Sequence, residues 1–390
     1  MGRQEQTNHL FSNRDLRILL VPLIVEQILN SLMGTADSIM VSNVGAAAIS
    51  AVSLVDSINI LVIQAFYALA AGGTIVCSQY IGQKDKKNAE ESARQLSFVV
   101  ACISSAVMAV CLLTRGPLLR LIFGSVEADV MEAAQIYFFY TALSFPFIAL
   151  YDAGSSIYRA QGNTRLPMTI AVVSNGLNIA GNAVLIWGFH LGVAGAAIAT
   201  CLGYCVPSIV GLVYFTKNRT GSLYFVPFKF DGATLAAACG SGSSEMVSNI
   251  ANAITTFVFN TLFMRYRGED GVAAITIAMY FQFVFTAVYF GFSMGVAPVI
   301  SYKFGEKNIP QLRHIFRICI TFVLACSLGT YLLSWLTLEP ALTLFTPRGS
   351  SVYEIAMHGF PIYAVSFLLM GTSIFASSLF TALSDGLVSA

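Results

Sequence analysis

Long apolar stretches recur along the whole chain and constrain its fold more than any other feature. Each is about 20 residues or longer, the length that an α-helix needs to cross a ~30 Å hydrocarbon core, whereas a membrane β-strand needs only about 10. Only 11% of the 390 residues are charged, less than half of the roughly 25% that is usual in a soluble domain. The sequence therefore predicts an all-α integral membrane protein.

Ten membrane spans are predicted from the apolar stretches. They are residues 16–41, 47–80, 95–114, 133–158, 166–189, 192–215, 237–263, 272–302, 316–337 and 355–383. Several of them exceed the minimum length for crossing a bilayer, which indicates tilted or bent helices.

The positive residues predict the orientation of these spans. Of the 21 Lys and Arg residues, sixteen lie in the amino-terminal segment and in the loops that follow even-numbered spans, and five lie in the opposite loops. Positive residues accumulate on the cytoplasmic side of membrane proteins. We therefore expect a cytoplasmic amino terminus.

Two parts of the chain match each other at a nearly constant offset. "GGTIVCSQYIGQKD" from Gly72 matches "GVAPVISYKFGEKN" from Gly295 at an offset of 223, and "VGAAAISAV" from Val44 matches "DGVAAITIA" from Asp270 at 226. Six spans separate the matched segments, so both copies begin on the same side of the membrane. The pattern predicts two parallel six-helix repeats, related by an axis along the membrane normal.

The offset also predicts how the chain is divided. We expect an amino-terminal six-helix lobe at residues 1–215, a cytoplasmic linker at 216–232 and a carboxy-terminal lobe at 233–390. Equivalents of the fifth and sixth spans would fall near 389–438, beyond Ala390. The second repeat is therefore expected to be truncated after its fourth helix. Either the sequence is a shortened form of a longer protein, or the protein has ten helices.

Five acidic residues fall inside predicted spans, where burying a charge costs at least ~2.5 kcal/mol and indicates a functional site. They are Glu26, Asp37, Asp56, Asp152 and Glu245. All Lys and Arg residues fall outside the span interiors, so none is expected to neutralise these acids. For each of them the alternative is a protonated carboxyl that only forms hydrogen bonds between helices.

Three of the predicted helices carry a polar face, and that of helix 7 is made of Glu245, Asn249 and Asn252. In helix 1 the spacing i, i+4, i+11 places three side chains within about 20° of one line, since each residue advances by 100°. These side chains are Glu26, Asn30 and Asp37. Helix 5 has a similar face, made of Asn175, Asn178 and Asn182. Such faces are expected to point into a bundle interior or a wet cavity, as ligands or as contacts between helices.

Enzymatic chemistry has little support in the sequence. There is no GxxxxGK[ST] phosphate loop or HExxH motif; the eight cysteines form no CxxC pair, and the four histidines are not at metal-ligand spacing. Basic residues form no stripe beyond the loops that orient the spans. We expect no enzymatic activity, no cofactor and no nucleic-acid partner.

Four motifs together resemble the multidrug and toxic compound extrusion (MATE) family. They are "TADSIMVSNVG" closing helix 1, "SQYIGQKD" after helix 2, "RAQGNTRLPM" after helix 4 and "LGVAGAAIATCLG" in helix 6. Their order and spacing carry the resemblance more than any single motif does. The resemblance implies a V-shaped, two-lobed antiporter of twelve helices, which expels amphipathic, often cationic compounds in exchange for H⁺ or Na⁺.

The resemblance also implies an ion-coupling site in the amino-terminal lobe. Its residues fall on Asp37 of helix 1, Asn178 and Asn182 of helix 5, and Thr200 of helix 6. Many relatives carry aspartate at position 182. The amide here leaves a single carboxyl, which suits a proton-linked mechanism and argues against tight Na⁺ binding. The candidates for the substrate path are Glu26, Asn30, Asp56, Asp152 and Glu245.

The expected function is secondary active efflux of xenobiotics or metabolites by a monomer in the plasma (cytoplasmic or inner) membrane. H⁺ or Na⁺ is the coupling ion, and no metal is expected apart from Na⁺ at Asp37. One alternative from the same superfamily is a flippase for lipid-linked oligosaccharide or lipid, which would favour a strongly basic cavity. Another is a membrane receptor or enzyme, which would need a sensing domain or a catalytic constellation, and the sequence shows neither.

Overall fold

The computed structural model describes residues 13–42, 44–124, 127–217 and 231–389, and these residues form helices joined by short turns, without a strand. The helices are α1 (Asn13–Ser42), α2 (Ala46–Gly82), α3 (Lys86–Phe123), α4 (Ala128–Ala160), α5 (Arg165–Asn182), a π-helical segment (Ala183–Gly188), α6 (Gly192–Lys217), α7 (Gly232–Gly305), α8 (Ile309–Phe345), α9 (Ser351–Ala382) and α10 (Gly386–Ser389). All ten predicted spans are helical. Eight helices of this described part are long and apolar enough to cross a membrane.

The long helix α7 consists of two helical arms joined by a kink. Its 74 residues are interrupted at Gly268, where φ is 65° and ψ is −152°. A side chain would strain this conformation, and glycine has none. The two arms, 232–267 and 269–305, contain the predicted seventh and eighth spans.

The turn after α2 is repeated after α7. Lys84 and Lys307, which are 223 positions apart, adopt positive φ angles of 61° and 57°. The next residue in each copy caps a helix: Asp85 accepts a hydrogen bond from Asn88 N at 3.2 Å, and Asn308 accepts one from Gln311 N at 3.2 Å. The matching sequence segments therefore also match in local structure.

Three hydrophobic clusters hold the helices together. The first packs α2, α3 and α4 with parts of α1 and α6. The second lies among the carboxy-terminal arm of α7, α8 and α9, with edge-to-face ring pairs such as Phe285–Phe367 at 5.3 Å. The third joins both halves, since Leu20 and Ile75 pack with residues of α7, α8 and α9.

The carboxy-terminal ends of α2 and α7 contact each other reciprocally. A methyl group on Gly82 would collide with the backbone carbonyl of Tyr302, and one on Gly305 would collide with that of Gln79. Each residue of one contact lies 223 positions from its counterpart in the other. Gln79 also donates a hydrogen bond to Ser384 Oγ at 2.8 Å. These contacts lie at the helix ends that are predicted to be cytoplasmic.

Candidate functional site

The four residues expected at the coupling site form a continuous chain of hydrogen bonds. Asn182 Nδ2 donates to Asp37 Oδ1 at 2.5 Å and to Asn178 Oδ1 at 3.2 Å. Asn178 Nδ2 donates to Thr200 Oγ1 at 3.2 Å. We call these four residues the coupling cluster. It joins α1, α5 and α6, and the partners that it gives to the Asp37 carboxyl are neutral.

Close packing of α5 against α6 holds the two asparagines in place. A methyl group on Gly203 would lie 3.2 Å from Asn178 Cβ, and Ser174 Oγ donates to the Gly203 carbonyl at 2.6 Å. Directly after Asn182 the helix widens into the π-helical segment. Such segments are frequent at functional sites. The π-helical segment thus begins directly beside the coupling cluster.

Asn182 retains an acceptor that no described group uses. Its side chain is fully buried, and none of the described donors reaches its Oδ1 atom. Leaving a buried polar atom without a partner costs about 1–3 kcal/mol. A protonated Asp37 carboxyl could donate to this oxygen, and a bound cation could be coordinated by it. The amide therefore keeps one acceptor, without a described donor, in the side chain that contacts Asp37.

A second carboxyl lies near the coupling cluster. Asp56 of α2 accepts hydrogen bonds from Asn59 Nδ2 and from the Tyr137 hydroxyl, both at 3.3 Å. The charges of Asp56 and Asp37 are close enough to interact. Asp56 is thus a second carboxyl near the coupling cluster, outside its chain of hydrogen bonds.

One hydrogen bond continues the polar face of α1 towards the amino terminus. Asn175 Nδ2 donates to Asn30 Oδ1 at 3.4 Å. The polar faces predicted for helices 1 and 5 thus meet each other. This observation places Asn30 between helices; its role in a substrate path stays a prediction.

Glu26 forms a buried ion pair with Arg159. Arg159 Nη2 lies 2.5 Å from Glu26 Oε1, and the two residues are only 8% and 1% exposed. The expectation that no Lys or Arg neutralises the buried acids is therefore wrong for Glu26. The predicted span ends at residue 158, whereas α4 continues to Ala160. Arg159 belongs to the helix, and its long side chain reaches inward.

Asp152 lies on α4, two helical turns before Arg159. Arg159 and Glu26 are within range of its charge, but none of the described residues donates a hydrogen bond to its carboxyl group. Its side chain is partly exposed. We call Glu26, Asp152 and Arg159 the charged cluster. It contains two carboxyls and one guanidinium, so one carboxyl has no bonded countercharge.

Two tyrosines lie beside the charged cluster. The rings of Tyr151 and Tyr204 meet edge to face, with centroids 5.9 Å apart, and both tyrosines interact electrostatically with Asp152. Tyr151 also lines a narrow crevice between α3, α4, α5 and α6, together with Leu150 and Pro207. The Tyr151 ring therefore contacts Tyr204 and also lies at the wall of an internal crevice.

The last predicted candidate, Glu245, is in the amino-terminal arm of α7. Its side chain lies outside the described residues, so its place in the substrate path stays a prediction.

Sequence reasoning missed Arg159 of the charged cluster and the two hydrogen-bond donors of Asp56, Tyr137 and Asn59. A spacing of seven residues puts Arg159 on the same helical face as Asp152, and this signal could have identified it. Tyr137 could not have been found, because a tyrosine in an apolar span does not indicate which helix its hydroxyl faces.

The fold and the site define a class of protein: a multi-pass helical membrane protein with polar clusters buried between its helices. The family model described as MatE matches residues 22–184 and 246–390. The chain belongs to the MATE family of transporters.

Two curated bacterial proteins are similar in sequence. The uncharacterized transporter YisQ of Bacillus subtilis is 33% identical over 218 residues, which cover 55% of this chain and 46% of YisQ. The multidrug export protein MepA of Staphylococcus haemolyticus is 24% identical over 334 residues, which cover 83% of this chain and 72% of MepA. The chain thus spans under half of the first relative and nearly three quarters of the second.

A solved structure shares the fold. The crystal structure of a MATE protein in the bent conformation superposes with a TM-score of 0.90 and 22% identity, covering 96% of this chain and 83% of that one. The helical membrane architecture predicted from the sequence is confirmed.

Proposed function

We propose that this protein exports amphipathic, often cationic compounds across the plasma membrane, in exchange for H⁺ or Na⁺ that binds at Asp37. The observation that carries the proposal is the coupling cluster, in which a carboxyl deep among helices has neutral hydrogen-bond partners. Family membership supports transport, and the export function of MepA supports multidrug efflux. Because MepA is a multidrug export protein, xenobiotics are the proposed substrate class.

The hydrogen-bonding chemistry of Asp37 and Asn182 would make the contact between α1 and α5 depend on whether a proton or a cation is bound at Asp37. An ionised Asp37 accepts a hydrogen bond from the Asn182 amide nitrogen, as in this structure. A protonated carboxyl is also a donor, so it can form a second hydrogen bond to the unused Asn182 oxygen. A cation between the two side chains would be coordinated by the same oxygens. Each form makes different contacts between α1 and α5.

Such a difference can drive alternating access. A ligand shifts a conformational equilibrium only through its different affinities for the two states. Binding of H⁺ or Na⁺ at Asp37 changes the contacts between α1 and α5, and α1 also packs against α7 through Gln27 and Met294. Ion binding would thereby favour one arrangement of the two halves and substrate release the other.

The two-lobed organisation is part of the proposal. The reciprocal contact of α2 and α7, the repeated turns, and the two ranges matched by the family model support lobes at residues 1–215 and 233–390 with a linker at 216–232. The proposed lobes contact each other at the carboxy-terminal ends of α2 and α7. With the amino terminus in the cytoplasm, a substrate cleft would open outward.

The flippase alternative has less support in the charged cluster. A carrier of anionic lipid-linked sugars would be expected to present free positive charge to its cavity. Arg159 is buried and bound to Glu26, so its charge is balanced. No described feature favours a receptor or an enzyme.

The proposal is tested by imposing separate ion gradients. A cationic dye is added outside inside-out membrane vesicles that contain the protein. The vesicles carry either a proton gradient or a Na⁺ gradient of equal size. We expect dye uptake into the vesicles with one of the gradients and its collapse when that gradient is dissipated. Vesicles without the protein provide the background. Uptake at background level under both gradients would refute the proposal.

A further inference from the structure

Two cysteines of α6 lie about one helical turn apart, and their sulfur atoms are in contact. Cys201 Sγ and Cys205 Sγ are 3.7 Å apart, and a spacing of four residues makes the two side chains neighbours on the helix surface. Both cysteines are free thiols. None of the other six cysteines has a second cysteine three or four residues away. We call Cys201 and Cys205 the dithiol; the coupling mechanism does not use it.

The dithiol lies at the border between the buried and the exposed sides of α6. Ser208, seven residues after Cys201, is on almost the same line of the helix and donates a hydrogen bond to the Phe147 carbonyl of α4 at 2.6 Å. On the other side of the dithiol, Leu202 and Ile209 are 47% and 52% exposed. Because α6 is one of the apolar helices long enough to span a membrane, a ligand dissolved in the bilayer can reach the partly buried sulfurs from that side.

The separation of the two sulfurs suits a single bridging atom. Sulfurs bonded to one tetrahedral zinc ion at about 2.3 Å lie roughly 3.8 Å apart, which is close to their separation in the dithiol. A structural zinc ion needs four protein ligands, and the described part of the chain brings no group of three or more His, Cys, Asp or Glu side chains together for a metal ion. The bridging atom should therefore prefer sulfur and need only two ligands from the protein.

We propose that Cys201 and Cys205 form a binding site for trivalent organic arsenicals, in which the arsenic atom carries one carbon group. Soft centres prefer sulfur ligands, and two protein sulfurs together with that carbon complete the three bonds of arsenic. Recognition by this site depends on arsenic–sulfur bonds and not on positive charge. The site therefore goes beyond the export of cationic compounds proposed above, and it does not depend on Asp37.

The binding reaction is a condensation in which no oxidation state changes. With an arsenoxide, two arsenic–sulfur bonds form, while two S–H bonds and the arsenic–oxygen double bond break. The oxygen leaves with both thiol protons as one molecule of water, and arsenic stays trivalent. No oxidant or reductant is needed. A small dithiol in excess reverses the binding, because it takes over both arsenic–sulfur bonds.

Binding through two sulfurs is expected to be much tighter than binding through one. After the first bond has formed, the second sulfur is held at a high effective concentration, which raises the overall affinity by about 10²–10⁴-fold. If the two thiols touch only because the helices pack there, no such gain is expected. Each of them would then bind an arsenical as weakly as a single exposed cysteine such as Cys102.

The test measures binding of phenylarsine oxide to the full chain in lipid nanodiscs, with excess glutathione as a competing monothiol. Intact-protein mass spectrometry detects the adduct, and a phosphine keeps the cysteines reduced. We expect one phenylarsenic group on each native chain, stable in glutathione and removed by 1,2-ethanedithiol. In Cys201→Ala and in Cys205→Ala we expect the apparent Kd to rise about 100-fold or more. Cys102→Ala on α3 is the matched control and should bind as the native protein does.

Either of two results would overturn the proposal. One is a native chain that keeps no phenylarsenic group in excess glutathione, and the other is an adduct that persists with native affinity in either single variant. Thermal unfolding of each variant is measured alongside. If one variant does not fold, the other still decides, because the bridge needs both sulfurs. No ion gradient is applied, so the result does not depend on whether the protein exports a dye.

Discussion

The coupling cluster and the charged cluster each contain one carboxyl from the polar face of α1, Asp37 and Glu26, and these two carboxyls have different kinds of partner. Asp37 is held by amides and a hydroxyl, through the hydrogen bonds from Asn182 and onward to Thr200. Eleven residues earlier, Glu26 is held by a guanidinium at 2.5 Å. The same helix face therefore carries one carboxyl with neutral partners and one with a fixed countercharge.

The difference indicates which carboxyl can exchange its ion. Away from water, a carboxylate paired with arginine is held strongly, and separating the pair leaves two uncompensated charges. A carboxyl with neutral partners can gain a proton or a cation and still keep its hydrogen bonds. The coupling cluster is therefore suited to changing occupancy, and the charged cluster to keeping a constant charge.

The largest predicted effect on stability comes from breaking the ion pair on one side only. Arg159→Gln leaves Glu26 buried without its countercharge, which costs about 3–5 kcal/mol when a buried pair loses one partner. We expect a marked fall in the thermal unfolding temperature of the protein in detergent. The double variant Glu26→Gln/Arg159→Gln should lose much less, because it removes both charges together.

Arg165→Gln, which changes an exposed arginine at the start of α5, is the control for that comparison. Equal unfolding temperatures for Arg159→Gln, the control and the native protein would show that the Glu26–Arg159 ion pair does not stabilise the fold. The contrast drawn between the two clusters would then fail.

A smaller effect is predicted for a change that pushes α6 away from α5. In Gly203→Ala the added methyl group would lie 3.2 Å from Asn178 Cβ, and such overpacking costs about 1–3 kcal/mol. We expect lower thermal stability and weaker transport, since Asn178 lies in the coupling cluster. Gly211→Ala on the same helix meets no atom within 4 Å and is the matched control. If both variants behaved alike, close packing of α5 and α6 would not be what positions the asparagines.

The sequence predicts the helices and the membership of the coupling cluster better than it predicts the partners of the acids. Apolar stretches long enough to cross a membrane identify the spans directly, because the bilayer sets their length. The hydrogen-bonded chain of Asp37, Asn182, Asn178 and Thr200 follows an expectation taken from the family resemblance. Its geometry is as expected; its role in coupling stays a proposal.

The partners of Glu26 and Asp56 depend on contacts between helices that are distant in the chain. Arg159 is 133 residues from Glu26, and Tyr137 is 81 from Asp56, so local spacing in α1 or α2 says nothing about either. The predicted end of the fourth span, two residues short of the observed one, also placed Arg159 in a loop. An error of this size at a helix end decided whether a buried acid was expected to be paired.

The most direct test of the central claim is gradient-driven dye transport by Asp37→Asn in inside-out vesicles, with Asp129→Asn as the control. The amide keeps the size of the side chain but cannot take up or release a proton. The account predicts that transport by Asp37→Asn falls about tenfold or more, to the background of empty vesicles. Expression, thermal unfolding and tetraphenylphosphonium affinity should stay near native values. Full transport by a well-folded Asp37→Asn variant would contradict the account, because the carboxyl would then be only a buried hydrogen-bonding group.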